Sequence, residues 1–252
     1  MKILFYTVLL FLASTIFSQA ATRGDVKVIE ASENIRYLSQ KIVKDYLFLY
    51  KHPEQVEVKN RLDRELQSLS NDLRIIATTT KDSDTKDILE FLAYSKDQIS
   101  EIFDQEIDEE KAALMLDYSE TLLEGADSIA LAHKYDFSEE EKMLMTMKKI
   151  EYLLERVTKY YMALNIGFNN TTNKEQIQNA MEEIEESLLT VSQYTYPKEM
   201  QKTQLDLDRA WQANRVFFDR SETLFIPKLI LTSVSYLEDT VAKLELFHSK
   251  NQ

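Results

Sequence analysis

The stretch that decides the fold is NIRYLSQKIVKDYL, residues 34–47. Its apolar residues recur at alternating spacings of three and four, which predicts a single apolar stripe along an α-helix. A related stretch, KIEYLLERVTKYYM, stands 115 residues further on, at residues 149–162. The sequence therefore indicates a long amphipathic helix that occurs twice.

The similarity extends beyond these two helices. With the same shift of 115 and no gap, apolar positions coincide from Ile35 and Ile150 to Leu131 and Leu246, through four successive predicted helices. The chain has only three Gly and three Pro, too few turn residues for a β-rich protein of this length. We predict an all-α protein of two tandem antiparallel four-helix bundles, formed from an internal repeat of about 115 residues.

Two arrangements of these helices remain open. The two bundles can stack end to end, with the fourth and fifth helices nearly continuous around residues 135–137. The rival is one thick eight-helix assembly. The predicted first unit covers residues 21–136 and the second, degenerate unit covers residues 137–252.

The first twenty residues differ from the rest. Lys2 precedes an apolar run over residues 3–17, and Ser18-Gln19-Ala20 resembles a signal-peptidase site. This layout predicts a secretory signal peptide over residues 1–20, cleaved after Ala20, and a periplasmic mature protein. An uncleaved N-terminal anchor is the alternative. The chain has no Cys, which excludes lipoprotein attachment, disulfides and thiol catalysis.

Composition argues against several kinds of site. A formal net charge of −13 repels phosphate backbones, so nucleic acid is not an expected partner. A di-iron bundle needs two Glu-x-x-His motifs, but the chain has one, Glu245 to His248, and its repeat-mate His133 has Ala130 in place of the Glu. We predict no metal, no cofactor and no catalytic constellation. The sequence therefore predicts a protein that is not an enzyme.

A second face of the first predicted helix carries the candidate functional residues. Arg36 lies about 100° around the helix from the core residue Ile35. The same side of the helix carries Ser39, Gln40, Val43, Leu47 and Tyr50. This face is polar at its start and apolar toward its end, which suggests contact with another subunit or a wide core. In the second unit Glu151 replaces Arg36, so only the first unit offers a cation there.

This segment also resembles a known family. Residues 36–41 read Arg-Tyr-Leu-Ser-Gln-Lys and look like the Arg-Met-Leu-Ser-Gln-Arg signature of the N-terminal sensory domain of type IV pilus methyl-accepting chemotaxis transducers, the PilJ-type domain. They are also similar to the opening of the periplasmic domain of nitrate/nitrite sensor kinases of the NarX type. The resemblance covers the mature chain in layout, and its specific motif spans about a dozen residues.

The resemblance implies a helical sensory domain in which an Arg of the first helix binds an anion where two subunits meet. Arg36 matches that Arg, and a guanidinium suits a planar oxyanion. Ser39 and Gln40 match the signature, and Lys41 replaces its second Arg. The chain departs from the family at Ser32-Glu33, where the family has Ala-Gly.

These observations lead to two functional hypotheses. The first is an exported, non-enzymatic sensory module that binds a small anion or metabolite through Arg36, Ser39, Gln40 and Lys41. It would bind its ligand near Arg36 at a subunit interface, as a homodimer, and signal through a membrane-bound protein. The second is a periplasmic structural or adaptor protein that binds another protein through the Val43, Leu47 and Tyr50 face and binds no small ligand.

Overall fold

The computed structural model describes residues 23–251, and within that range the chain is all-helical, as predicted. The predicted signal peptide lies outside the described residues. The eight helices of the described range are α1 (Arg23–Lys51), α2 (Val56–Thr79), α3 (Ser83–Phe103), α4 (Glu109–Ala132), α5 (Glu139–Ile166), α6 (Thr171–Gln193), α7 (Lys198–Phe218) and α8 (Pro227–Lys250). None of these helices is long and apolar enough to cross a membrane.

Local sequence sets the ends of several helices. Ser138 and Glu141 form the capping box that begins α5, as their spacing predicts. Gly167 ends the same helix with a φ of 113°, a left-handed conformation that glycine adopts without strain. Asp82 and Asp108 accept hydrogen bonds from the first turns of α3 and α4. Pro227 lies in the first turn of α8, where its missing N–H costs nothing.

Two helices lie at the centre of the molecule. Helix α1 contacts α2, α4 and α5, and helix α5 contacts α1, α6 and α8. Helix α3 contacts α2 and α4, while α7 contacts α6 and α8. Residues 42–49 of α1 are all buried, and so are residues 157–164 of α5. A helix that is buried on every side must be covered by several neighbours, which is the position of α1 and α5.

The two halves of the chain meet along α1 and α5. Helix α4 ends at Ala132 and α5 begins at Glu139, so the chain leaves the helical conformation where sequence reasoning allowed a nearly continuous helix. Side chains of α1 from Arg36 to Lys44 reach Tyr152 and Glu155 of α5. The contact between the halves therefore runs along the helices and is not confined to their ends.

Helix boundaries and one polar contact recur at the shift seen in the sequence. Adding 115 to the bounds of α3 gives those of α7, and the other three helices coincide to within a few residues. His133 Nδ1 lies 2.9 Å from Asp25 Oδ1, and His248 Nδ1 lies 2.6 Å from Glu140 Oε2. Both partners of the second pair stand 115 residues beyond those of the first. Each histidine thus joins the last helix of its half to the first.

Candidate functional site

Arg36 is already paired with acidic groups. Its Nη1 donates to both carboxylate oxygens of Glu33 at 2.9 Å, and its Nε lies 2.6 Å from Asp127 Oδ1 on α4. The guanidinium carbon also lies 4.2 Å from the centre of the Tyr152 ring. Burial disfavours its charge, but Glu33, Tyr152 and Asp127 outweigh that effect and raise the pKa of Arg36. The cation predicted to hold an anion is therefore surrounded by two carboxylates of the same chain.

Ser39 and Gln40 are buried and bonded within the fold. The Ser39 hydroxyl donates to the backbone oxygen of Arg36 at 2.7 Å and accepts from Gln40 Nε2 at 2.9 Å. Gln40 Oε1 accepts from Arg156 Nη1 of α5 at 3.4 Å. These two side chains lie on the side of α1 that faces α4 and α5.

The Lys41 side chain lies on a different side of α1 from Arg36. Its ammonium donates to the Tyr37 hydroxyl and lies 3.7 Å from Glu155 Oε1. Lys41 is five residues beyond Arg36, which corresponds to a rotation of about 140° around the helix axis. The structure therefore brings Arg36, Ser39 and Gln40 together and separates Lys41 from them.

The residues predicted to contact another subunit lie mostly inside the chain. Val43 and Leu47 have no exposed surface, and Tyr50 is half-buried against the core. They are part of a wide core, which is the second of the two explanations that the sequence offered for this apolar face. Helices α2, α4 and α5 cover α1 from three sides, so this face is buried within the chain.

A group of ionisable side chains lies on another side of α1, about 80° to 180° around the helix from Arg36. We call it the charge cluster: Lys41, Lys44 and Asp45 of α1, Arg61 and Glu65 of α2, Glu155 of α5, and Glu238 of α8. Lys44 Nζ lies 2.7 Å from Glu155 Oε2, and Arg61 Nε donates to Asp45 Oδ2 at 2.6 Å. The Tyr37 hydroxyl donates to Glu238 Oε1 at 3.0 Å. The cluster contains four carboxyls but only three cations.

Glu65 is the least satisfied member of the charge cluster. Its side chain is 8% exposed, and neither carboxylate oxygen has a hydrogen-bond partner among the described residues. Its nearest cation is Arg61 Nε at 3.8 Å, an atom that already donates to Asp45. A buried carboxylate without hydrogen bonds costs free energy in its ionised form.

The electrostatics divide the three glutamates of the cluster into two kinds. Burial favours the protonated form of Glu155, but Lys44 and Lys41 outweigh it and lower its pKa. Burial, and then the charge of Asp45, raise the pKa of Glu65 to about 8. Burial, and then the charge of Glu155, raise the pKa of Glu238 to about 8. At neutral pH the chain's own cations therefore stabilise the charge of Glu155, while Glu65 and Glu238 hold protons.

Two surface grooves flank the charge cluster. The α1–α2 groove has a volume of about 650 Å³ and is lined by Asn34, Tyr37, Leu38, Arg64, Gln67, Ser68, Asn71 and Asp72. The α2–α8 groove has a volume of about 620 Å³, and Arg61 and Asp239 are among its lining residues. Tyr37 and Arg61 each line a groove and bind a member of the cluster. Through these two residues the grooves adjoin the cluster, but its four carboxyls are not among the lining residues of either groove.

The four positions related to these acids by the shift of 115, two in each half of the chain, contain no acid. With the shift of 115, Asp45, Glu65, Glu155 and Glu238 correspond to Tyr160, Ala180, Gln40 and Leu123. There Arg156 forms two bonds to Glu120, at 3.0 and 2.7 Å, and Lys159 Nζ donates to Ser119 at 2.8 Å. Burial lowers the pKa of Lys159 to about 7 against the opposing charge of Glu120. The same helix packing thus forms without the carboxyls of the charge cluster.

Sequence reasoning missed most of this site. It identified Lys41 but not Asp45, Glu65, Glu155 or Glu238. One signal was present: Lys44 and Asp45 interrupt an apolar segment that covers every face of the helix. Charged residues inside such a segment indicate buried ion pairs.

Comparisons of the chain with protein-family models, with curated proteins and with solved structures found no match. Within residues 23–251, no group of three or more His, Asp or Glu side chains is arranged to hold a metal ion.

Proposed function

We propose that the protein is an exported, non-enzymatic helical module that binds a small ligand and acts through a separate partner. The observation that carries this proposal is the α1–α2 groove, whose lining residue Tyr37 donates to Glu238 of the charge cluster. A groove of several hundred Å³ with convergent polar groups and perturbed pKa values is typical of a ligand site. The resemblance of residues 36–41 to PilJ-type and NarX-type sensory domains supports the same class of function.

We further propose that the chain consists of two four-helix units related by duplication, with α1 and α5 packed side by side. The coincidence of helix bounds and the repeated histidine–carboxylate pair support this. The four acids of the charge cluster then distinguish one unit interface from its counterpart. A feature that packing does not require is a better candidate for function than one that both copies share.

Within this proposal the ligand binds at the groove and not at Arg36. The guanidinium of Arg36 has both Glu33 and Asp127 as partners, so an anion would have to displace a carboxylate. The Asp72 carboxylate, in contrast, lines the groove and accepts a long hydrogen bond, 3.5 Å, from the Asn34 amide. The position of Arg36 near the α1–α5 contact suits a structural role.

Thermal unfolding of the purified protein against small anions, amino acids, organic acids and amines tests this function. A ligand at a hundred times its dissociation constant adds about 2.7 kcal/mol of stability. We expect at least one compound to raise Tm in wild type and in Arg36→Ala but not in Asp72→Asn, which changes a lining residue of the groove. A shift lost only in Arg36→Ala would return the site to Arg36. A folded protein that responds to none of the compounds would contradict ligand binding.

One observation favours the adaptor hypothesis as a second candidate. Phe91 and Tyr94 of α3 are 70% and 59% exposed and lie on one face of that helix. Large exposed apolar side chains are common where another protein binds. Under this hypothesis Phe91→Ser abolishes co-purification with a protein partner and leaves the response to small compounds unchanged. Retained co-purification would remove its structural support.

A further inference from the structure

The exposed faces of α3 and α7 carry opposite charges. On each helix, six exposed residues recur at spacings of four and three and lie within about 80° of one another around the helix axis. The α3 stripe consists of Ser83, Asp87, Glu90, Tyr94, Asp97 and Glu101. The α7 stripe consists of Lys198, Lys202, Leu205, Arg209, Gln212 and Val216. The α3 stripe therefore contains four acids and no cation, whereas the α7 stripe contains three cations and no acid.

Most of these charges have no partner within the described part of the chain. Asp97 pairs with the adjacent Lys96, and Lys202 Nζ lies 3.0 Å from Asp206 Oδ2, one turn further along α7. The other acids of the α3 stripe and the other cations of the α7 stripe form no ion pair with any of the described residues. Their charges are therefore available to another molecule.

The two stripes occupy equivalent positions of the repeat. Adding 115 to each residue number of the α3 stripe gives the α7 stripe. Both faces also carry apolar surface, because Leu205 and Val216 are 53% and 46% exposed, and the exposed Phe91 adjoins Tyr94 on α3. Since both stripes are exposed, packing within the chain does not determine the sign of their charges. Opposite charges at equivalent positions suit a direct contact between the two stripes.

The two stripes do not cover each other within one molecule. Helix α3 packs against α2 and α4, helix α7 packs against α6 and α8, and the two halves of the chain meet along α1 and α5. Each stripe thus faces outward from its own half and stays exposed. A partner that offers the matching surface to both stripes is another copy of the same chain.

We propose that the α3 stripe of one molecule binds the α7 stripe of a second copy, head to tail. A contact of this kind joins unlike surfaces, so an assembly keeps one free stripe at each end, and further copies add until a ring closes. The proposal goes beyond the proposed function, since neither stripe lines the α1–α2 groove. It assigns a second copy of the chain to the exposed α3 face that the adaptor hypothesis assigns to another protein.

The net charge of the chain opposes this contact mainly at long range. Its formal value is −13, so two molecules repel each other in dilute salt. At about 0.1 M salt the Debye length is about 10 Å, which screens charges on distant parts of the two molecules but leaves those in direct contact attractive. A contact between two single helices buries less than the standard interface of about 1,600 Å². We therefore expect weak association, with a dissociation constant on the order of 10 µM.

Sedimentation velocity of the purified protein at about 0.1 M salt tests the proposal. We expect the mean mass of the wild-type species to rise above that of one chain as concentration increases. The charge reversals Asp87→Lys/Glu101→Lys on α3 and Lys198→Glu/Arg209→Glu on α7 should each weaken association by about tenfold or more. An equimolar mixture of the two variants should associate again, because each variant keeps the stripe that the other has lost.

The matched control reverses two exposed acids outside both stripes. Glu57→Lys/Asp63→Lys on α2 changes the net charge by the same amount as the α3 variant and should associate like wild type. All the substituted residues are exposed, so we expect each variant to fold, which circular dichroism checks.

Three results would overturn the proposal. A folded wild-type protein that remains monomeric at about 100 µM would do so, and would leave the α3 face to the adaptor hypothesis. Association that persists in both charge-reversal variants would place the contact elsewhere on the molecule. A mixture of the two variants that stays monomeric, while wild type associates, would exclude head-to-tail pairing of the stripes.

Discussion

At the scale of single residues, the buried ion pair between Lys44 and Glu155 and the unbonded Glu65 show two opposite situations. Glu155 is fully buried with a cation at 2.7 Å, and Glu65 is buried without a hydrogen bond. Removing one partner of a buried pair leaves an uncompensated charge. Removing a buried charge that has no partner removes an unfavourable free-energy term from the folded state.

Lys44→Met should therefore destabilise the protein by about 3–5 kcal/mol, because Glu155 is left buried without its closest cation. The double variant Lys44→Met/Glu155→Gln should recover most of this loss. It places Gln at the position equivalent to Gln40, where the other half already has it. Urea unfolding measures both values. A double variant no more stable than Lys44→Met would contradict the assigned pairing.

Glu65→Gln should raise the free energy of unfolding at pH 8 by about 1 kcal/mol, because it keeps the shape of the side chain and removes the buried charge. Glu90→Gln at an exposed site should change it by less than about 0.5 kcal/mol. A Glu65→Gln variant clearly less stable than wild type at pH 8 would mean that Glu65 has a partner that stabilises its charge.

At the scale of helices, the sequence predicted most of what local chemistry controls. The capping box at Ser138 and the all-helical content of the described residues follow from nearby residues. The pairing of α1 with α5 does not, because an apolar face on α1 looks the same whether it meets another subunit or another helix of its own chain. The charge cluster was missed for a related reason: its members come from four helices and share no sequence pattern.

The two histidines that join the last helix of each half to the first give a matched prediction. His248 is fully buried, with Tyr196 and Glu140 as partners, whereas the His133 side chain is 11% exposed. His248→Ala should cost about 2–3 kcal/mol because it leaves a cavity and the buried Tyr196 hydroxyl without its partner. His133→Ala should cost about 1 kcal/mol. Equal losses in thermal unfolding would contradict the difference in burial.

At the scale of the whole molecule, the raised carboxyl pKa values determine how stability depends on pH. Burial is the largest cause of each: the pKa of Glu65 and of Glu238 rises to about 8, that of Glu151 to about 7 and that of Asp72 to about 6. Between about pH 4.5 and 8 the folded chain therefore binds more protons through these groups than the unfolded chain does. Stability then falls as pH rises through this window, and the lowered pKa of Lys159, about 7, opposes that fall only in the part above pH 7.

We expect the free energy of unfolding to be lower at pH 8 than at pH 5, by on the order of 2 kcal/mol. This reverses the acid destabilisation typical of proteins whose carboxylates are paired in the native state. The loss between pH 5 and 8 should be smaller in Glu65→Gln and unchanged in Glu90→Gln. Urea unfolding across this range measures it, and stability that increases steadily from pH 5 to 8 would contradict the account.

The most direct test of the charge cluster is a carbon-13 NMR titration of the glutamate carboxyls. We predict two carboxyls that titrate near pH 8, one of which disappears in Glu65→Gln and neither of which disappears in Glu90→Gln. If every glutamate titrates near its ordinary value, the neighbouring cations satisfy Glu65 and Glu238, and the account of the cluster is wrong.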